Sequence, residues 1–129
     1  GNQIELAVLP LVSAREPARA GRIRAFGVMA PKRWSTAPEI PALSETREFK
    51  GVEVTVWFGL FAPAKTEATL INRLARDMDT VLAEPDLVKR LGDLSLEPAR
   101  LTPQQFGAFL QREHDKFAAV VKTANIKAE

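Results

Sequence analysis

Cysteine is absent from all 129 residues. That excludes disulfides, thiolate metal sites and a cysteine nucleophile, and leaves both reducing and oxidising compartments open. Histidine occurs once, at His114. No second histidine or carboxylate stands three or four residues away to share a metal or a proton with it, so His114 reads as a partly buried structural residue at the edge of a helical face. No apolar run approaches the roughly 18 residues that cross a bilayer. Gly-rich phosphate loops, G-x-S-x-G elbows and H-E-x-x-H are also missing, and no cofactor or metal is expected. Charge of one sign is scarce too: 18 Lys+Arg stand against 16 Asp+Glu, for a formal charge of +2. The basic residues are scattered (Arg15, Arg19, Arg22, Arg24, Lys32, Arg33) and form no dense run, so nucleic-acid binding is not expected.

What remains is an ordinary globular composition, 46% apolar and 26% charged, in a length that predicts one domain with a real core. Residues 3–10 (QIELAVLP) read as a buried strand, and 22–30 (RIRAFGVMA) and 52–63 (VEVTVWFGLFAP) as two further strand candidates. A short helix is expected from Ser13, whose hydroxyl can cap it, with Pro17 in its first turn or bending it and Gly21 at its end. Pro31, Pro38 and Pro41 predict an irregular loop leading to a helical turn near Ala42 to Thr46.

Beyond Pro63 the period becomes helical. Thr66 can cap a helix with Leu70, Ile71, Leu74, Met78, Val81 and Leu82 on one face, a face that must pack on something. A second helix runs from Asp86 to a closing Gly92. Thr102, Pro103 and Gln105 then form a specific start signal for a long helix carrying Phe106, Phe109, Leu110, Phe117, Val120, Val121 and Ala124 on one face. The alternation argues for an α/β protein with largely parallel pairing. The first half is mostly strand and loop and the second mostly helix, which fits two incomplete pieces better than one finished domain.

Candidate chemistry is thin. Glu113 falls near the centre of the last helix's apolar face. A buried carboxylate there needs a cation or amide donors, so it reads as a structural anchor to a loop or helix end ahead of a general acid or ligand contact. Met29 and Met78 read as core filler. Trp34, among prolines and charges, suits rim packing or a ligand contact equally. The stretch 54–63, VTVWFGLFAP, is apolar on both sides and interrupted by Gly59. It leaves three roles open: a buried strand, an aromatic ligand wall lined by Trp57 or Phe58, or an exposed patch for a partner.

The phrases AGRIRAFGVMAPKRWSTAPEIPALSE, VTVWFGLFAPAKT, LINRLARDMDTVLAEPDLVKRLGDLSLEPARLTPQQFGAFLQRE and DKFAAVVKTANIKAE resemble, in order and nearly end to end, the C-terminal half of the Bug/TctC family. These are the extracytoplasmic solute receptors of tripartite tricarboxylate transporters. The resemblance implies part of a type II periplasmic-binding-protein fold, with mixed or parallel sheets flanked by helices and a long C-terminal helix. Residues 1–55 would complete the solute-binding lobe (lobe 2), and residues 56–129 would form the crossing strand and the C-terminal part of lobe 1, with Gly59 bending near the hinge.

The function implied is capture of a small carboxylate-type metabolite without catalysis, for membrane transporter subunits, in the periplasm. No signal-peptide pattern precedes the first strand-like segment, and the abrupt start suits a cut piece of a longer exported protein. The family's cleft-facing loop falls on Leu9, Pro10, Leu11, Val12 and Ser13. Ser13 matches, while Leu9 and Pro10 replace polar groups by apolar ones, against an amino-acid or polyhydroxy ligand. Leu9, Pro10, Leu11 and Ser13, together with Trp57 and Phe58, are the expected ligand contacts. The rival expectation is an interaction module that covers its apolar faces by pairing as a homodimer.

Overall fold

Helices form where apolar periodicity, caps and breakers coincide. The computed structural model describes residues 4–127. Gln3, at the head of the first expected strand, and the outer ends Gly1 and Glu129 of the two expected segments lie outside them. The helices are α1 (Leu11–Arg19), α2 (Ala68–Leu82), α3 (Pro85–Asp93) and α4 (Pro103–Thr123), with 3-10 turns at Leu43–Glu45 and Arg47–Phe49.

The start of α4 follows the sequence signal. The Gln105 amide donates to Thr102 Oγ1 at 3.2 Å and the Thr102 amide to Gln105 Oε1 at 2.9 Å. Two otherwise unpaired amides are thereby satisfied, with Pro103 at the first position where no amide is needed. Other starts differ from expectation. α1 begins at Leu11 with Pro10 as its cap residue and no side-chain cap. Ser13 is therefore inside the first turn, its amide bonded to the Pro10 carbonyl at 2.9 Å, and Pro17 falls in the second turn. α2 is preceded by Glu67, not capped by Thr66, because the Thr66 amide closes a turn onto the Pro63 carbonyl at 3.0 Å and leaves the residue one place too early.

Three helices end in the same six-residue device, a left-handed residue whose successor's amide reaches back to the third-last helical carbonyl. Gly21 (φ 67°) does this after α1, with Arg22 N–H to Pro17 O at 2.9 Å. Asn125 (φ 51°) does it after α4, with Ile126 N–H to Val121 O at 3.0 Å. After α3 the left-handed residue is Ser95 (φ 57°), with Leu96 N–H to Leu91 O at 2.8 Å. Gly92, expected to close that helix, lies inside it, where an added Cβ would meet Thr36 Cγ2 at 3.6 Å.

The residues group into two units, one of Gly1–Phe61 with Pro85–Pro98 and one of Ala62–Glu84 with Ala99–Glu129. In the first, Trp34 to Ile40 make two consecutive turns, Ala37 N–H to Trp34 O and Ile40 N–H to Ala37 O, both 3.1 Å. Around them sit the buried residues Ala30, Ala37, Ile40, Ala42 and Ser95. Val28 forms a parallel bridge with Ala42, through Val28 N–H to Pro41 O and Leu43 N–H to Val28 O, each 2.9 Å. Gly27 packs closely beside it: a Cβ there would lie 2.6 Å from Leu43 Cδ2, a side-chain end that would have to swing away, and 3.0 Å from the Pro41 carbonyl, a tight backbone contact.

The Arg33 guanidinium grips Glu45 at two points, 2.7 and 2.8 Å, and donates to the Pro38 carbonyl at 3.0 Å. That hydrogen bonding, with the Ala42 amide, holds the Glu45 carboxyl at about 2. In the second unit α2 packs on α4, and Arg100 grips Asp79 of α2 at 2.6 and 2.7 Å. This hydrogen bonding holds Asp79 below the usual carboxylate range.

The expected strands form no ladders: 4–10, 22–30 and 52–61 are irregular chain, with bends at Glu5, Arg22, Ile23, Met29 and Ala30. Among the described residues there is the single bridge at Val28 and Ala42, and Val54 N–H to Met29 O at 3.0 Å ties 52–61 to 22–30. A β-branched run favours extension, but a strand is defined by a neighbour about 4.8 Å away, and these segments supply few such pairings. Residues 54–63 run on without a bend at Gly59; the chain turns at Ala64 and Lys65.

Candidate solute-binding site

The first turn of α1 brings Leu9, Pro10, Leu11 and Ser13 together because they are contiguous. Leu9, Pro10 and Ser13 are exposed and Leu11 is half-buried. Ser13's amide is already committed to Pro10, so the amides ahead of it, of Leu11 and Val12, are the ones a helix start offers to an anion. On the segment 52–61, Trp57 is 37% exposed and Phe58 79% exposed. The apolar side chains Val54, Val56 and Leu60 on the same segment are exposed as well, as are Ile4, Leu6 and Val8.

Other sequence candidates resolve differently. Trp34 spends its ring N–H on the Ser95 carbonyl at 3.1 Å, next to Ser35 N–H on Glu97 Oε1 at 2.8 Å. It is a packing residue that fastens the proline loop to the end of α3. His114 is exposed, its side chain 74% accessible and not partly buried as expected. It lies one residue past the apolar face and turns to Asp115 Oδ1 at 3.2 Å. Hydrogen bonds from His114 and Gln111 hold the Asp115 carboxyl below its usual range.

Glu113 is 13% accessible and pairs with Lys116, three residues on in the same helix. Its anchor therefore lies within α4 and not on a loop or helix end. Glu113 and His114 face different surroundings, as adjacent helical residues do.

Sequence reasoning treated Arg15, Arg19, Arg22 and Arg24 as scattered. The structure gathers all four, with Glu39 and Ile40, around one open groove of about 530 Å3 in the first unit. The available signal was the four-residue spacing of Arg15 and Arg19, which puts that pair on one side of a helix; the bend at Arg22 and Ile23 that brings Arg22 and Arg24 beside them carries no such period. The sequence-expected contacts do not line this groove. Among the described residues no group of His, Asp and Glu could hold a metal ion, and no helix is long and apolar enough to cross a membrane.

The backbone is similar to two solved structures. One, described as a periplasmic transporter, has a TM-score of 0.74 and 30% identity over 91% of this chain and 39% of its own. The other, the periplasmic binding protein BugD, has a TM-score of 0.72 and 25% identity over 90% of this chain and 39% of its own. The fold is thus part of the periplasmic-binding-protein class. The profile of the Tripartite tricarboxylate transporter family receptor matches residues 1–126, and the chain belongs to that family. Curated relatives include a Pseudomonas sp. UPF0065 protein of a tcbD-tcbE intergenic region, 27% identical over 98% of this chain and 38% of its own. Protein BugT of Bordetella pertussis is 26% identical over 87% of this chain and 34% of its own. The chain spans under two fifths of the length of these proteins.

Proposed function

We propose that the chain is the portion of a periplasmic solute receptor that helps capture a small carboxylate-type metabolite and present it to the membrane subunits of a tripartite tricarboxylate transporter. The reading is carried by the family match over residues 1–126. In it, residues 1–55 belong to the solute-binding lobe and residues 56–129 supply the crossing strand and the C-terminal part of the other lobe, with α3 reaching back to the loop at 34–36. The paired sheets of the parent fold are completed by chain outside this sequence. Leu9, Pro10, Leu11 and Ser13 at the α1 start face the solute, and Trp57 with Phe58 forms an apolar wall. Closure of the lobes on the solute shifts an open to closed equilibrium, with no catalytic step.

Thermal-shift screening of the full-length receptor against dicarboxylates, tricarboxylates, aromatic acids and amino acids tests this, since a true ligand raises the melting temperature by mass action. Carboxylates are expected to stabilise it. Failure of every class removes the carboxylate reading.

A second reading, self-association, is favoured by one observation: Ile4, Leu6, Val8, Val54, Val56 and Phe58 are all exposed, more apolar surface than a monomer of this size usually leaves in water. Light scattering decides it, and a clean monomer excludes it.

A further inference from the structure

The arginine groove is built on the C-terminal half of α1 and the chain after it; Arg15, its member nearest Ser13, follows that residue by two places, about 200° around the helix, so the two side chains leave α1 on opposite faces. Arg15 and Arg19 come from the last two turns of α1, and Arg22 and Arg24 from the bent chain that follows Gly21. Arginines at a helix C-terminus ordinarily answer the negative end of the helix dipole and its unpaired carbonyls. Here the Pro17 and Ala18 carbonyls are already taken by the Arg22 and Gly21 amides, at 2.9 and 3.0 Å, so the guanidiniums are not needed as caps.

Carboxylates do not account for them either. Arg19 stands 3.5 Å from Glu16 and 3.9 Å from Glu39, long contacts made by exposed side chains, and Arg24 lies over the Phe26 ring at 5.5 Å. Among the described residues Arg15 and Arg22 pair with no carboxylate. Arg15 Nε is buried and has no hydrogen-bond acceptor, a state that costs free energy until an acceptor arrives. The groove also differs from the faces that await cover elsewhere in the chain. Those are apolar, whereas a wall of guanidiniums is not buried against protein without matching anions.

We propose that this groove binds a small oxyanion carrying two or more negative charges on carboxylate or phosphate groups, at a site separate from the start of α1. Planar guanidiniums from two elements can each give such groups two parallel hydrogen bonds, and Ile23 and Ile40 supply an apolar floor.

Calorimetric titration of the chain with citrate, inorganic pyrophosphate and acetate, at low and at physiological ionic strength, tests the proposal. Citrate, pyrophosphate or both should bind one to one, more weakly at higher salt, and acetate should not. The two multivalent arms distinguish a carboxylate from a phosphate source. Arg22→Gln and Arg24→Gln, at exposed positions where folding is unaffected, should each weaken binding about tenfold. Glu39→Gln should tighten it severalfold by freeing Arg19, and Ser13→Ala should leave it unchanged. The proposal is overturned by any of four results: no binding of either multivalent anion, binding indifferent to Arg22→Gln and Arg24→Gln, binding lost in Ser13→Ala, or binding of an oligoglutamate peptide alone. Loss of binding in Ser13→Ala would move the anion to the proposed solute site at the start of α1; the other three results leave solute capture by the full-length receptor to the thermal-shift screen.

Discussion

The two units divide regularity and burial between them. Residues 62–84 and 99–129 carry the longest helices, yet none of their described side chains is buried, and Leu70, Leu74, Met78 and Val81 of the α2 apolar face remain partly exposed although α2 packs on α4. The other unit is mostly turns and extended chain, yet it holds every buried residue among those described, around the double turn at 34–40 and the end of α3. In the helical unit α4 starts on a reciprocal cap and α2 on none, while in the other a small core forms where consecutive turns bring backbone close to backbone.

The sharpest way to break this contrast is at Gly27. Gly27→Ala forces Leu43 and the Pro41 carbonyl apart and should cost about 2 kcal/mol, seen as faster hydrogen exchange at the Val28 and Leu43 amides with α2 and α4 unaffected. An equal loss of protection in α4 would show that the units do not differ in this way. Thr102→Ala removes the reciprocal cap of α4 and should cost about 1 kcal/mol, read by urea unfolding followed through helical circular dichroism, with exchange in residues 28–43 unchanged.

Ser95→Gly has the opposite sign. It relieves a left-handed non-glycine residue whose buried hydroxyl has no partner, and after the entropy cost of glycine it should stabilise the chain by about 0.5 kcal/mol. A fall in melting temperature would mean that the Ser95 side chain contributes packing that outweighs the strain.

The smallest effect is electrostatic. Glu45 has a folded-state value of about 2 against an ordinary 4.5. Its contribution is therefore fully present above about pH 4.5 and is lost as the pH falls through about 2. Protection of the Ala42 amide, which donates to Glu45 Oε1 at 3.0 Å, should fall across that window and become flat in Glu45→Gln. A pH dependence that survives the substitution would assign it to another carboxyl.

Legibility followed the range of the interaction. Thr102, Pro103 and Gln105 announced α4, and Gly21 announced the end of α1, because caps and left-handed stops are settled within about six residues. Thr66 and Gly92 misled for a related reason: a cap residue displaced by one place, or a better-placed neighbour such as Ser95, is decided by small local differences that residue type alone does not carry. The expected contacts at Leu9, Pro10, Leu11 and Ser13 came from family resemblance, and composition had no means of finding them. Arg15, Arg19, Arg22 and Arg24 looked scattered because only the first pair follows a helical period; the bend after Gly21 that brings the second pair to the same groove is not written in spacing.

By itself the amino-acid sequence determined the helices, their amphipathic faces, the proline loop and membership of a receptor family, since each is written in spacing, caps and ordered motifs. Only the tertiary structure decided that Trp34 is tied to Ser95, that Glu113 pairs within its own helix, that His114 faces solvent and that 4–10 and 52–61 have scant pairing. Those outcomes depend on which groups from distant parts of the chain meet, and a strand or a buried charge is completed by its neighbour and not by its own residues.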